Sequence, residues 1–519
     1  MIQTKVTRML ELAGFAPAGN PGYANPQERF GFTERRASMK RVVNALGKLS
    51  WGRRAYAVFA LCATTAIVLP AQTLTTVFSF DGTDGAYPWA GLVQATNGDF
   101  YGTTLDGGAN TNKACIANCG TVFKITPGGT LTTLHSFCSE SNCTDGCIPY
   151  AALVQATDGD FYGTTQDCAN GDGTLFKITP SGTLTTLYSF CSESNCTDGS
   201  APSAVLIQAI DGNLYGTTSF GGANCATCGT VFKITPSGTL TTLLSFDGAD
   251  GEDPTDGLVQ GPNGDFYGTT YIGGAYGDGT VFKITPEGTL TTLVSFDGTN
   301  GSSPVAGLVQ TTNGDLYGTT QFGGAYGGGT VFKITPSGTL TTLHSFHGGT
   351  DGANPDAGGL VQGTDGDFYG TTSGGGAYGD GTVFKITPEG TLTTLISFDG
   401  TDGSDPIAGL VQATNGTFYG TTRYGGADND GTVFSLSVGL GPFVETRLTA
   451  GTVGAVVEIL GTDLTGATSV SFNGTAAAFT VVSPSLVAAT VPAGATSGKV
   501  QVVTPSGTLL SNVPFRVLP

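Results

Sequence analysis

The pentapeptide Phe/Leu-Tyr-Gly-Thr-Thr recurs at 100–104, 161–165, 214–218, 266–270, 316–320, 368–372 and 418–422. Successive copies lie between 50 and 61 residues apart, inside a longer unit that runs from 73 to 438. A period of this size restricts the chain to an architecture that stacks one small unit on the next: a solenoid, a propeller or an array of domains. The content of one unit decides among them.

The unit from Gly257 to Phe296 reads as four strands. Gly257–Gln260 ends at the turn Pro262-Asn263-Gly264. Asp265–Thr270 is rich in aromatic and β-branched residues. Gly279–Ile284 follows a glycine-rich loop, and Thr289–Phe296 follows the turn Pro286-Glu287-Gly288. Asn-Gly and Pro-x-Gly turns between such strands predict a meandering antiparallel sheet, the content of one propeller blade. Leu290, Leu293 and Phe296 fall on both faces of their strand, as expected for a sheet covered on both sides. A lone sheet of this size buries too little surface to stand alone.

Strands of the first three types occur seven times, whereas the fourth follows only the first six repeats. The seventh copy is Thr73–Phe80, at the other end of the repeat region. The expected fold of this region is therefore all-β: a seven-bladed β-propeller whose last blade, strands 409–414, 417–423 and 431–437, is completed by the N-terminal strand 73–80. The loops from strand four to the next repeat and from strand two to strand three then share one face. Almost all variation falls there, including Asp-Gly-Thr-Asp-Gly at 81–85 and 399–403 and the Gly-Gly-Ala-Tyr loops. A variable loop face on a uniform scaffold is where binding is expected.

Composition agrees with short strands and tight turns: 12% of residues are charged and 83 of 519 are Gly. The net charge of −19 opposes binding to nucleic acid, whose phosphates need a basic face, and docking on anionic lipid. Lys40, Arg41, Lys48, Arg53 and Arg54 precede the apolar run Ala55–Leu69, with Pro70-Ala71-Gln72 as a cleavage point, so residues 1–71 read as an extension plus export signal. Residues 1–38 have no signal character, which fits a start at Met39. Leu61 before Cys62 argues against lipid anchoring. The apolar run is short for a spanning helix, and no later segment is expected to cross a membrane. In an exported chain the remaining ten cysteines favour disulfides. Cys115/Cys119, Cys138/Cys143, Cys191/Cys196 and Cys225/Cys228 form local pairs, and Cys147 and Cys168 sit in two loops of one repeat. Zinc on Cys115, Cys119, Cys225 and Cys228 fits the ligand chemistry, but a whole repeat separates the two pairs.

Little else in the sequence carries chemistry. His135 and His344 take a strand-four position that is Tyr, Leu, Val or Ile elsewhere and read as packing variants; His347 replaces a loop Asp. No nucleophile–base constellation assembles around them. Gly374-x-Gly376-x-x-Gly379 joins two strands and opens no helix, so it is not a dinucleotide fingerprint. Asp81, Asp84, Asp399 and Asp402 are candidate calcium ligands through carboxylates and loop carbonyls, although Asp-Gly pairs also serve as turns. Tyr271, Tyr276, Phe322, Tyr326, Tyr378 and Tyr424 are candidate contacts for sugar rings on the variable face. Lys124, Lys177, Lys233, Lys283, Lys333 and Lys385 recur at one strand-three position and imply a repeated structural partner.

The motifs Ala-Gly-Leu-Val-Gln, Phe-Tyr-Gly-Thr-Thr, Gly-Gly-Ala and Gly-Thr-Val-Phe-Lys-Ile-Thr-Pro-x-Gly-Thr-Leu-Thr-Thr-Leu resemble the GloVer tandem repeats of bacterial surface and secreted proteins. That resemblance covers about 73–438 and implies export without a defined activity. From Gly441 the repeat stops. Val456–Gly466, Val470–Thr475, Val491–Ala495 and Val500–Pro505 resemble an IPT/TIG domain, which implies an Ig-like sandwich used as a spacer or binding module.

The expected layout is thus an N-terminal extension with signal (1–71), a seven-bladed propeller (72–438) and an IPT/TIG-like sandwich (442–519). The expected role is that of a bacterial secreted, periplasmic or cell-surface protein that binds without catalysis, with glycans or surface proteins as partners and no cofactor other than calcium. An extracellular polysaccharide-active hydrolase or lyase and a purely structural surface protein are the alternatives.

Overall fold

The computed structural model describes residues 72–110, 119–168 and 171–519. The export-signal reading falls outside these residues, as does Cys115. Among the described residues, no helix is long and apolar enough to cross a membrane.

The repeat region forms seven four-stranded antiparallel sheets. In the fourth, Val259–Gln260, Phe266–Thr270, Thr280–Ile284 and Leu290–Ser295 pair in chain order. The first strand is shorter than its sequence suggests. A Cβ on Gly257 would lie 2.8 Å from the carbonyl oxygen of Val205 in the preceding repeat. Neighbouring chains crowd together here, and the backbone leaves the ladder to pass them.

The seventh sheet combines both ends of the region, with Thr73–Ser79 beside Thr432–Ser437. Even its irregularity matches: register slips between Thr76 and Phe78 opposite Phe434 and Val433, as it does between Val281 and Phe282 in the fourth sheet. The N-terminal strand therefore occupies the position expected of it.

Each sheet is joined to the next by recurring contacts. A Gln side chain of the next sheet accepts a turn N–H: Thr96 N to Gln155 Oε1 at 3.0 Å and Ile210 N to Gln260 Oε1 at 3.1 Å. Where the next sheet opens its second strand with Phe, the pentapeptide tyrosine packs on that ring, as Tyr101 does on Phe161 at 4.0 Å and Tyr215 on Phe266 at 4.2 Å; Tyr162 and Tyr267 share a core with Leu214 and Leu316 instead. Both contacts return to the start: Thr414 N donates to Gln94 Oε1 at 2.9 Å, and Tyr419 packs on Phe100 at 4.2 Å. The pentapeptide glycine is required by this packing, since a Cβ on Gly102 would lie 2.6 Å from the Phe123 ring and 2.8 Å from Leu92.

The recurring lysines find the partner their repetition implied. Lys177, Lys283 and Lys333 lie 2.9, 3.4 and 2.8 Å from Asp160, Asp265 and Asp315; exposed pairs of this kind add little stability. His135 and His344 do more than pack. Their Nε2 atoms lie 3.0 and 3.1 Å from Asp145 and Asp351, the loop aspartates that follow.

Residues from 443 onward form an Ig-like sandwich. Glu445–Thr446, Val456–Leu460, Leu486–Thr490 and Phe479–Ser483 make one sheet; Thr475–Ala477, Ser469–Phe472, Val500–Thr504 and Gly507–Leu510 make the other. Val457, Ile459, Val470, Phe472, Val487, Val500 and Val502 fill the core between them. The sandwich docks on the uniform turns between the first and second strands of the repeats. Ser485 Oγ donates to the Thr96 carbonyl at 2.6 Å, Thr462 and Thr414 hydroxyls meet at 2.8 Å, and Arg447 reaches the Gln155 carbonyl. The described parts of the variable loops lie at the other ends of these strands.

Candidate functional site

Each repeat enters its first strand through a segment with a central proline, such as Gly251-Glu252-Asp253-Pro254-Thr255-Asp256-Gly257. The residue before the proline is left-handed in all seven: Tyr87, Ile148, Ala201, Asp253, Ser303, Asn354 and Asp405 have φ between 51° and 57°. Such a backbone costs a non-glycine residue on the order of 1–3 kcal/mol, most for a β-branched one such as Ile148. Backbone bonds on both sides hold it there: Asp253 N donates to Cys228 O at 3.1 Å, and Tyr271 N donates to Asp253 O at 2.9 Å. The kink turns the chain toward a cavity that all seven repeats share.

That cavity has a volume of about 280 Å³ and is lined by Gly91, Ala152, Val205, Gly257, Gly307, Gly358 and Gly409, one from each repeat. Its walls are nearly uniform, but its mouth is not. The residue after the proline is Trp89, Tyr150, Ser203, Thr255, Val305, Asp356 or Ile407. The residue after the pentapeptide is Leu105, Gln166, Ser219, Tyr271, Gln321, Ser373 or Arg423. A scaffold that repeats almost letter for letter thus converges on one place where no two copies carry the same pair of residues.

At that mouth the Arg423 guanidinium lies 4.3 Å from the Trp89 ring and 4.5 Å from Tyr424, with Nη1 3.5 Å from Asp405. Trp89 packs on Tyr150 at 4.7 Å. Gln321 Nε2 donates to Asp356 at 2.9 Å, and the Ala357 N–H donates to its other oxygen at 3.0 Å. Burial raises the carboxyls of Asp253, Asp356 and Asp405, with Arg423 pulling back on the last two. Burial also raises the Tyr150 phenol.

Asp256 stands where the other repeats have Ala90, Ala151, Ala204, Ala306, Ala357 and Ala408. Asp256 is half-buried and lines the cavity. Its carboxyl is pushed up to about 6 by burial, against the pull of the Gly257 and Gly307 N–H groups that hold its two oxygens.

The residues singled out from the sequence separate into groups. Tyr276, Tyr326 and Tyr378 occupy one loop position in three successive sheets and are 68%, 69% and 68% exposed. Phe322 is 41% exposed and shares its position with Phe220, exposed to 42% and missed in the sequence. Tyr271 and Tyr424 lie next to the cavity mouth instead. Asp81 and Asp84 cap their own turn: Asp81 Oδ1 accepts Thr83 N at 2.9 Å and Thr83 Oγ1 at 2.7 Å, and Asp84 Oδ1 accepts Asp81 N at 3.2 Å. Asp399 and Asp402 do the same through Thr401. The fifth repeat makes this turn with Asn300 in place of the second aspartate, so its geometry does not depend on that charge. Calcium at these loops would compete with N–H groups already in place.

Cys138–Cys143, Cys147–Cys168, Cys191–Cys196 and Cys225–Cys228 are disulfide-bonded. Cys225 and Cys228 are therefore not available as zinc thiolates. The mouth residues Trp89, Tyr150, Asp256, Asp356 and Arg423 escaped sequence reasoning. The signal lay in aligning repeats column by column, where Asp256 breaks a column of alanines.

Residues 64–195, 111–319, 192–360 and 289–478 match the Gloeobacter/Verrucomicrobia repeat, and residues 443–517 match the IPT/TIG domain. No curated protein matches the chain. One similar solved structure is the extracellular domain assigned to a hybrid two-component system of B. thetaiotaomicron. It is 12% identical with a TM-score of 0.45 over 76% of this chain, which covers 46% of that domain's length. A fungal alcohol oxidase of the AA5 family, in complex with copper, is 12% identical with a TM-score of 0.49, over 86% of this chain and 99% of the oxidase. The repeat matches together span most of the sequence, and the chain belongs to the Gloeobacter/Verrucomicrobia repeat family, with an IPT/TIG domain at its C-terminal end.

Proposed function

We propose that residues 72–438 form a seven-bladed β-propeller, that residues 442–519 form a separate Ig-like domain on its uniform face, and that the protein binds glycans outside the bacterial cell without catalysis. The recurring inter-sheet contacts, repeated between the seventh sheet and the first, support the propeller. Disulfides support an oxidising compartment, in keeping with the signal read at residues 1–71.

Binding rests on one observation: Tyr276, Tyr326 and Tyr378 project from equivalent loops of three adjacent sheets, each about two-thirds exposed. Amphipathic rings left in water on glycine-rich loops are contact surfaces for partners that are part apolar and part polar, as sugar rings are. Three equal weak contacts gain strength together on a polymer that spans them. The test is retention of the protein on immobilised cell-wall polysaccharides, with calcium and with chelator. The triple variant Tyr276→Ala/Tyr326→Ala/Tyr378→Ala should lose retention. Equal retention of variant and wild type refutes the reading.

The raised carboxyls of Asp256 and Asp356 favour a second reading, a polysaccharide-cleaving enzyme. Against it, both Asp256 oxygens already hold backbone N–H groups. Release of soluble sugar by the wild type, lost in Asp256→Ala, would establish it.

A further inference from the structure

We propose that the mouth of the shared cavity is a second, single-copy binding site that takes one terminal sugar residue or an equally hydroxyl-rich ring. Its ligand class rests on the glycan reading above, but its residues are distinct from the exposed tyrosines.

The observation that carries this is a set of polar atoms, buried and without a protein partner, from three different repeats: Trp89 Nε1, Asp253 Oδ1, Thr255 Oγ1 and Arg423 Nε. Buried polar atoms are nearly always paired, so a cluster of exceptions points to a missing partner. Thr255 and Trp89 line the cavity; Arg423 lies against Trp89; Asp253 precedes the proline before Thr255. Two of the four atoms only donate, one only accepts, and the Thr hydroxyl does both. A metal ion or ammonium group would satisfy acceptors alone, and an anion donors alone. Hydroxyl groups do both, so a ring bearing several of them completes the whole set.

Charge points the same way. A cation would need several open carboxylates, but Asp405 is engaged by Arg423, Asp356 by Gln321 and the Ala357 N–H, and Asp256 by the N–H groups of Gly257 and Gly307, which leaves Asp253 alone. Size limits the ligand too: about 280 Å³ lies at the small end for ligand pockets and suits one ring at a chain end. The repeats differ most here. The cavity wall is mostly glycine and alanine, with Val205 in the third repeat, while the mouth carries Trp, Tyr, Thr, Asp and Arg from separate copies.

The chain supplies its own reporter, because its two tryptophans are Trp51 and Trp89. Full-length protein carrying Trp51→Phe reports from the mouth alone. It would be titrated with the methyl glycosides of glucose, galactose, mannose, N-acetylglucosamine and galacturonic acid while Trp89 emission is followed. A saturable, one-site change is expected with at least one glycoside. Asp253→Ser and Thr255→Val, which install the residues of the fifth repeat, should each weaken it about tenfold without altering the fold. The triple tyrosine variant should leave it unchanged. Silence with all five glycosides, full response in both mouth variants, or a change evoked by calcium chloride or tetramethylammonium chloride alone overturns the proposal. If Trp89 is silent while the triple tyrosine variant still loses polysaccharide retention, the cavity-mouth site falls and the exposed-tyrosine reading stands. A Trp89 response in a protein that no polysaccharide retains establishes the cavity-mouth site and removes the exposed-tyrosine reading.

Discussion

Phe80 tests whether the N-terminal strand is as integral as any internal one. It is fully buried, 5.3 Å from the Phe123 ring, and its N–H donates to Gly431 O at 3.0 Å. Phe296, inside the fourth repeat, is equally buried, 5.2 Å from Phe332, and donates to Gly279 O at 3.0 Å. Identical surroundings predict identical costs, although Phe80 is reached through a chain closure of some 350 residues and Phe296 through a short turn. Truncating a buried Phe to Ala costs ~3–5 kcal/mol. Unfolding entropy of about 2.1 cal/mol/K per residue over roughly 365 cooperative residues gives ~0.8 kcal/mol/K, so ~4 kcal/mol lowers Tm by about 5 °C. Calorimetric unfolding of Phe80→Ala and Phe296→Ala should therefore show the same drop. A drop near 5 °C for Phe296→Ala with less than about 1 °C for Phe80→Ala refutes the reasoning, because the strand would then peel away before the sheets unfold.

The remaining predictions follow from single contacts. The raised Asp256 carboxyl means that the folded state binds a proton more tightly than the unfolded one. Stability should fall as pH rises from about 4 to about 6, by roughly 2–3 kcal/mol from this group; denaturant titrations of Asp256→Ala should lack that component, and parallel pH profiles would disprove it. Gly102→Ala places a methyl against the Phe123 ring and should destabilise by ~1–3 kcal/mol or more, read as a lower denaturant midpoint. Ala201→Gly removes a left-handed alanine and should stabilise by about 1 kcal/mol, whereas any loss would contradict the assigned backbone. Replacing Cys147 and Cys168 with Ala opens a crosslink of sequence separation 21 and should cost about 3 kcal/mol by loop entropy, against about 2 for Cys138 and Cys143, which are 5 apart.

Period, strand content and turn chemistry are local properties, and they were readable in order along the chain. The missing fourth strand of the last repeat pointed to Thr73–Phe80 because strand pairing needs complementary edges wherever they lie in the sequence. Cys147 and Cys168 fell together for a similar reason, as the cysteines left after the local pairs. His135 and His344 were read as packing variants because their aspartates, Asp145 and Asp351, lie across a loop whose path the sequence does not show.

The variable face was legible only as a list of loops. Exposure separated Tyr276, Tyr326 and Tyr378 from Tyr271 and Tyr424, although all five are aromatic residues on similar glycine-rich segments. The cavity mouth was invisible for a deeper reason. Trp89, Thr255, Asp356 and Arg423 come from the first, fourth, sixth and seventh repeats, and no spacing along the chain relates them. The sequence determined the unit and its count, because each strand, turn and crosslink is specified by residues near one another. Tertiary structure alone decided the candidate site, because only a cavity lined by all seven repeats brings their least similar residues together.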